Sequence, residues 1–280
     1  MALCLDTHCH LDASEFELDR DAMIKRASLA GVNGVLIPAV RAADFESVKE
    51  LAHQVSDQMP ATVYTLGIHP IYTPDAKETD IDLLRHAIKQ SLDDPRFVGI
   101  GEIGLDYFLP ELDSHHQVFF FEAQLDLAEE FNLPVILHVR RSQDAIIKAL
   151  KSRKISGGIA HAFNGSFQQA ENFIKLDFVM GFGGAMTHDR ALQIRRLAKE
   201  LPSESIVLET DSPDIPPVWL VKNEHPRNEP GELPQISSVL AEIRGDLIGH
   251  TQDLCSQNAL RVIPRWGRLI ASLPKDLSTH

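Results

Sequence analysis

The chain has 280 residues, 44% apolar and 24% charged, the balance of an ordinary globular protein rather than a disordered or fibrous one. Its 40 Asp and Glu outnumber 27 Lys and Arg and leave −13, the wrong sign for gripping long nucleic acid across a broad surface. No apolar run approaches the ~20 residues of a membrane span, and Met1 to His10 lacks the basic-then-apolar pattern of a secretory signal.

Runs rich in β-formers alternate with amphipathic runs from end to end. Strands are predicted at 3–7, 34–38, 62–66, 98–101, 135–137, 158–160, 178–181 and 205–208. Helices are predicted between them, at 19–30, 44–57, 80–93, 115–131, 142–152, 166–175 and 189–200, with Asp44 and Ser166 placed as N-caps. Residues 222–231 read as a loop, and helices follow at 234–246 and 251–262. Strands separated by helices imply βα units and a parallel sheet. Eight units favour closure into a single (β/α)8 barrel of the TIM type, for which ~250 residues suffice. A doubly wound open sheet is the alternative, but no GxGxxG opens the chain. The barrel is expected to occupy residues 1–264, with 265–280 a C-terminal tail, either a loose helix or disordered. Three scattered cysteines form no CxxC pair and suit a reducing compartment, the cytoplasm. Cys9, between two histidines, is read as a small buried filler pointing away from them.

The chemistry-bearing residues fall at strand ends. Asp6-Thr7-His8-Cys9-His10 closes the first strand, and side-chain alternation puts His8 and His10 on one face. Glu102 follows the fourth strand, His138 ends the fifth, His161 the sixth and Asp211 the eighth. Barrel active sites lie at the C-terminal ends of strands. A lone HxH is as often structural as functional, but six coordinating residues at five strand ends are hard to explain as core filler. Four histidines and two carboxylates exceed one open metal site. They suit two divalent ions about 3.5–4 Å apart, with Glu102 the natural bridge. Mixed nitrogen and oxygen ligation favours Zn, Mn or Co over Mg.

In these segments the chain resembles the TatD family of metal-dependent deoxyribonucleases, among the amidohydrolase-like barrels. The matching stretches are DTHCHL (6–11), GIHP (67–70), GEIGLDY (101–107), LPVILH (133–138), HAFNG (161–165), ETDSP (209–213) and RNEP (227–230). They stand in the family's order across about residues 6–230. The resemblance implies His8, His10, Glu102, His138, His161 and Asp211 as metal ligands, and His69 of GIHP as the substrate-side histidine. It also implies hydrolysis of DNA, often from 3′ ends. Two departures bear on substrate preference. Val139 follows His138 where a small polar residue is frequent, and Asp214 stands where an apolar or aromatic residue is common.

His69, Arg140 and Arg227 lie on loops expected at the same barrel face, where arginine forks fit the oxygens of a phosphodiester. Each arginine also reads as a surface ion pair, and His69 as a buried loop residue. Gly181-Phe182-Gly183-Gly184 offers backbone N–H groups to an anion, though close packing explains it better. Among Tyr72, Tyr107, Phe108 and Trp219, Tyr107 and Trp219 are the candidates for stacking on bases. His115, His116, His188 and His225 read as solvated. The function expected is phosphodiester hydrolysis at DNA ends, catalysed through Glu102, Asp211 and His69, with Asp211 orienting or deprotonating the attacking water. Short or single-stranded DNA is the expected partner, with no membrane and no obligate protein. The competing reading is an amide or ester hydrolase on the same scaffold, such as an aminoacyl-tRNA deacylase. A non-catalytic metal- or partner-binding barrel is a third.

Overall fold

In the computed structural model, which describes residues 2–222, 224 and 226–274, the β-branched runs pair in chain order. The first half alternates β1 (Leu5–Asp6), α1 (Arg20–Leu29), β2 (Gly34–Pro38), α2 (Phe45–Val55), β3 (Val63–Leu66), α3 (Thr79–Ser91), β4 (Phe97–Asp106) and α4 (Ser114–Phe131). The second half continues with β5 (Val135–Arg140), α5 (Gln143–Lys151), β6 (Gly158–Ala160), α6 (Phe167–Ile174), β7 (Phe178–Phe182), α7 (Leu192–Glu200) and β8 (Ile206–Leu208). Three helices end the described chain: α8 (Leu233–Arg244), α9 (Ile248–Val262) and α10 (Pro264–Ser272). Every neighbouring pair of strands is parallel. The last strand then meets the first. Thr7 N–H donates to the Leu208 carbonyl at 3.1 Å, Asp211 N–H to His8 at 2.9 Å and His10 N–H to Ser212 at 2.8 Å. These bonds close the sheet into the α/β barrel that the alternation of elements predicts.

The apolar residues sort into two bodies. One joins the outward side chains of the strands to the inner faces of the surrounding helices, for example Val35, Ile37, Leu137 and Met180 with Met23, Val48, Leu84 and Leu125. The other takes one residue from each strand: Leu5, Leu36, Val63, Val98, Ile136, Ile159, Val179 and Val207. Side chains two apart share a strand face. Ile136 therefore stands one layer below His138, Ile159 below His161 and Val207 below Glu209. A dry apolar layer floors the polar end of the barrel.

That floor is sealed by the C-terminal helices. Ala259, Val262, Ile263, Trp266 and Leu269 belong to the same apolar body, and the Trp266 indole N–H donates to the Ala61 carbonyl at 2.7 Å. Arg265 donates to the carbonyls of Phe97, Leu92 and Asp94. The expectation of a loose tail from Arg265 is therefore corrected. α10 is a packed plug, and only 275–280 of that segment lie outside the described residues. His225 also lies outside them. Trp266 is fully buried, so Trp266→Ala should cost about 3–5 kcal/mol of unfolding free energy. Denaturant titration measures this, and a loss under ~1 kcal/mol would show the plug to be dispensable.

Both expected N-caps lie where helices begin, with different outcomes. Ser166 forms a reciprocal capping box with Gln169. Asp44 makes no cap bond, because its carboxylate accepts from Arg41 at 2.8 and 3.1 Å. Among the described residues no helix is long and apolar enough to cross a membrane.

Candidate metal centre

The strand ends deliver their side chains by backbone pairing with neighbouring strands. Cys9 N–H donates to Leu36, His69 to Val40, Glu102 to Ala39 and His161 to Leu137, each at 2.9–3.1 Å. β4 carries one extra residue against β5, since Ile100 pairs with Val135 but Ile103 with Leu137. Glu102 sits within that irregularity. Gly104, at φ +154°, presses on the strand bearing His138, where a Cβ would come within 2.0 Å of the His138 carbonyl oxygen. Two buried glutamines of α4 complete the strand-end backbone. Gln124 bonds both the N–H and the carbonyl of Ile68, and Gln117 does the same for Asp106.

Glu102 is the centre of the cluster. Its Oε2 lies 3.1 Å from His8 Nε2 and 3.4 Å from His10 Nε2. Its Oε1 lies 3.0 Å from His138 Nδ1, 2.8 Å from His161 Nε2 and 3.1 Å from His69 Nε2. Asp211, with a left-handed backbone at φ 59°, turns its Oδ1 to 3.6 Å from His8 Nε2 and 3.7 Å from His10 Nε2. All six residues read from the strand ends are thus brought together, and His69 joins them.

The donor set fits divalent cations. His8 Nε2 and His10 Nε2 approach to 3.2 Å, and His161 Nε2 and His138 Nδ1 to 3.4 Å. One proton can serve at most one nitrogen of each pair. The His8 and His161 rings stack 3.9 Å apart at 9°, a poor arrangement for two imidazoliums. Burial, then the neighbouring His161, holds His8 well below the usual histidine range. Burial works to raise Glu102, but the imidazoles of His69, His161 and His8 outweigh it and hold the carboxylate well below its ordinary value. A third layer of buried carboxylates stands behind: Asp6, Asp106 and Glu209. Burial pushes Asp6 up to about 7 and Glu209 up to about 8. Buried carboxylates raised in this way take up protons unless bound cations hold them ionised. Three ligand sets have all donor atoms within 4.8 Å of one another: His8–His10–Asp211, His8–Glu102–His161 and His69–Glu102–His138.

Hydrogen bonding separates the histidines that proximity groups together. The Ile71 N–H donates to His69 Nδ1 at 3.2 Å, and burial drives the ring's pKa down to about 4. The neutral ring then carries its proton on Nε2, the nitrogen that faces the centre. His69 is a donor there, not a lone pair. His138 is the reverse, because its Nε2 faces Asp106 Oδ2 at 3.1 Å and donates its proton outward. Its Nδ1 lies 3.0 Å from Glu102, and with Nε2–H held by Asp106 it is the nitrogen that would offer a lone pair to a cation bound there. Outer carboxylates orient metal-binding imidazoles in this way, and the tautomer decides the role over distance alone.

The remaining residues scatter. Arg140 lies 3.7 Å from Asp106, half exposed, with its guanidinium 3.9 Å from the Phe108 ring centroid. Arg227 is engaged by the β1 loop. Asp19 accepts from its guanidinium at 2.7 and 2.9 Å, Glu15 offers a carbonyl, and the group lies over Phe16. This is the surface ion pair also expected of it, and it braces the β1 and β8 loops. Trp219 is half buried and donates to Glu232 at 2.7 Å, while Tyr107 and Phe108 stay exposed. Tyr72 is held near Arg41, whose guanidinium lies 5.1 Å from its ring. Cys9 is fully buried with Sγ toward Ser212. A Cβ on Gly181 would strike Glu209 Oε2 at 1.9 Å, so that glycine run serves close packing. His116 and His188 are half buried, and each ring lies within hydrogen-bond reach of a carbonyl, Thr73 and Pro216 respectively. Sequence reasoning missed Asp106, Glu209 and Asp6 as supports. Each lies inside a quoted motif, and proximity in sequence to a ligand was the available signal.

The model of the TatD related DNase family matches residues 5–264. The chain is 36% identical over 241 residues to an uncharacterized metal-dependent hydrolase of Escherichia coli, YjjV, covering 86% of this chain and 90% of that one. It is 34% identical over 265 residues to a protein of Erwinia tasmaniensis named 3′-5′ ssDNA/RNA exonuclease TatD, covering 91% and 96%. The crystal structure of the E. coli TatD homologue YjjV matches with a TM-score of 0.84 at 32% identity, over 93% of this chain and 98% of that one.

Proposed function

This chain belongs to the TatD-related DNase family of metal-dependent hydrolases, and from that premise we propose that it cleaves phosphodiesters at the ends of single-stranded DNA using two divalent ions. The observation that carries the reading is the division of labour at Glu102: one oxygen faces His8 and His10, the other His138 and His161. His8, His10 and Asp211 would hold one ion, His138 and His161 the other, with Glu102 shared. The donor set suits Zn, Mn or Co over Mg. Bound ions supply Lewis acidity at the phosphoryl oxygens and make water a competent nucleophile near neutral pH.

The chain's own groups do the rest. Asp211, buried beside His8 and His10, orients the attacking water and accepts its proton. His69 Nε2–H donates to a non-bridging oxygen, and Arg140 adds positive charge beside it. The exonuclease named in Erwinia supports a nucleic-acid substrate. Three buried, unpaired cysteines support a reducing compartment such as the cytoplasm.

At −13 overall, grip must come from a few contacts at the cleft. On single strands each phosphate neutralised contributes ~0.7 to the log–log salt slope. A shallow slope of two or three phosphates, about 1.4–2.1, is expected. Metal-loaded protein is assayed on linear and circular single strands over a salt series, beside phosphomonoester, ester and amide substrates. Cleavage of linear strands and sparing of circles is the expected result. Rapid cutting of circles would establish an endonuclease, and turnover confined to esters or amides would replace the nuclease reading.

A further inference from the structure

The barrel mouth carries positive charge unevenly. Arg41 and Arg227, on the β2 and β8 loops, are each closed off by a carboxylate, Asp44 and Asp19. Arg140 and Arg141, at the end of β5, are not. Arg140 has only Asp106 at 3.7 Å, which His138 already engages, and among the described residues no carboxylate lies within ion-pair distance of Arg141. Both guanidiniums nonetheless gather on one aromatic ring. Arg140 Cζ lies 3.9 Å and Arg141 Cζ 4.6 Å from the centroid of Phe108. Successive residues of an extended strand would point to opposite faces. Arg141 escapes that rule through a left-handed backbone, φ 57°.

The arrangement is held, not incidental. Asp106 pairs in register with Arg140, and Tyr107 N–H donates to the Arg140 carbonyl at 2.9 Å. Ser142 Oγ donates to the Leu105 carbonyl at 2.6 Å. Phe108 N–H donates to Asp106 Oδ1 at 2.9 Å, while the other oxygen of that carboxylate faces His138. One side chain thus ties the Phe108 loop to the candidate centre. Phe108 remains 42% and Tyr107 37% exposed. Two like charges over one ring repel, and an anion between them removes that cost.

We propose that Phe108 and Arg141 form a second phosphate subsite, with Arg140 standing between it and the scissile phosphate; it takes the phosphodiester next to the scissile one, so that the retained strand leaves over the β4–β5 edge. The inference rests on the nucleic-acid reading above. A charge-assisted contact of this kind is worth about tenfold in affinity.

The test measures Kd of a labelled dinucleotide, with one phosphodiester, and a trinucleotide, with two, by anisotropy on metal-loaded protein with hydrolysis-resistant phosphorothioate linkages. Turnover of the ordinary oligonucleotides is followed in parallel. The native protein should bind the trinucleotide about tenfold more tightly. In Arg141→Ala and Phe108→Leu the gap should shrink to about twofold or less. Arg196→Ala on α7, where the arginine pairs with Glu200 and lies over Phe167, is the control and should keep the gap. Equal binding of the two lengths by the native protein, or an undiminished gap in both variants, overturns the subsite. Length-dependent binding that the variants abolish, without hydrolysis of any oligonucleotide, supports the subsite and overturns the nuclease reading alone.

Discussion

Glu102→Ala should lose more than about 10³-fold in turnover and bind fewer than two ions per chain, a larger effect than the ~10–100-fold typical of losing an outer partner of a ligand. The reason is its position. Five imidazole nitrogens lie within 3.4 Å of its two oxygens. Removing the carboxylate leaves the nitrogens of His8, His10, His138 and His161 converging without an anion between them, and two bound ions would then repel unscreened. Glu102→Gln keeps the volume and one carbonyl oxygen, and should retain one ion with residual activity. Metal analysis after gel filtration, with thermal melts to confirm folding, gives the comparison. Two ions and full turnover in Glu102→Ala would end the shared-carboxylate reading.

His69→Ala should lower kcat/KM on phosphodiesters by about 10²-fold, within the range for a positioned proton-bearing side chain, and leave metal content unchanged. This separates two roles that distance alone confuses, since His69 forms a compact ligand set with Glu102 and His138. The Ile71 N–H occupies Nδ1 and leaves the proton on Nε2. A ligand would need the opposite arrangement. Loss of an ion in His69→Ala would refute the donor assignment. An equal loss on an uncharged ester would refute its specificity for phosphate.

Much of this was legible because barrel chemistry collects at strand ends, and the strand ends could be read. The alternation of runs located all eight strands, and HxH, Glu102, His138, His161 and Asp211 each stood at the end of one. What escaped depends on partners distant in the chain. Period-two reading placed the fourth strand at 98–101, whereas β4 runs from Phe97 to Asp106 with an added residue that local pattern cannot reveal. α10 looked like a tail because Trp266 finds its partners in β-strand residues far upstream, from Leu5 to Val207. Arg227 sits in a family motif, yet Asp19, which holds it, lies in an unremarkable stretch. Arg141 and Phe108 carry no motif at all; only the pairing of β4 with β5 brings them together.

The seam between β8 and β1 has a consequence in time. Thr7 bonds Leu208 across 201 residues of sequence, and Asp211 bonds His8 beside it. Contacts that distant close late, because the chain between them must be ordered first. On the ribosome, His8 and His10 emerge long before Asp211 has been made. A nascent chain therefore gathers the candidate centre piecemeal and lacks Asp211 until late in synthesis, and a prematurely terminated one never acquires it. The candidate centre is complete only when the ring is, so an unfinished copy cannot carry the hydrolase chemistry of the finished one.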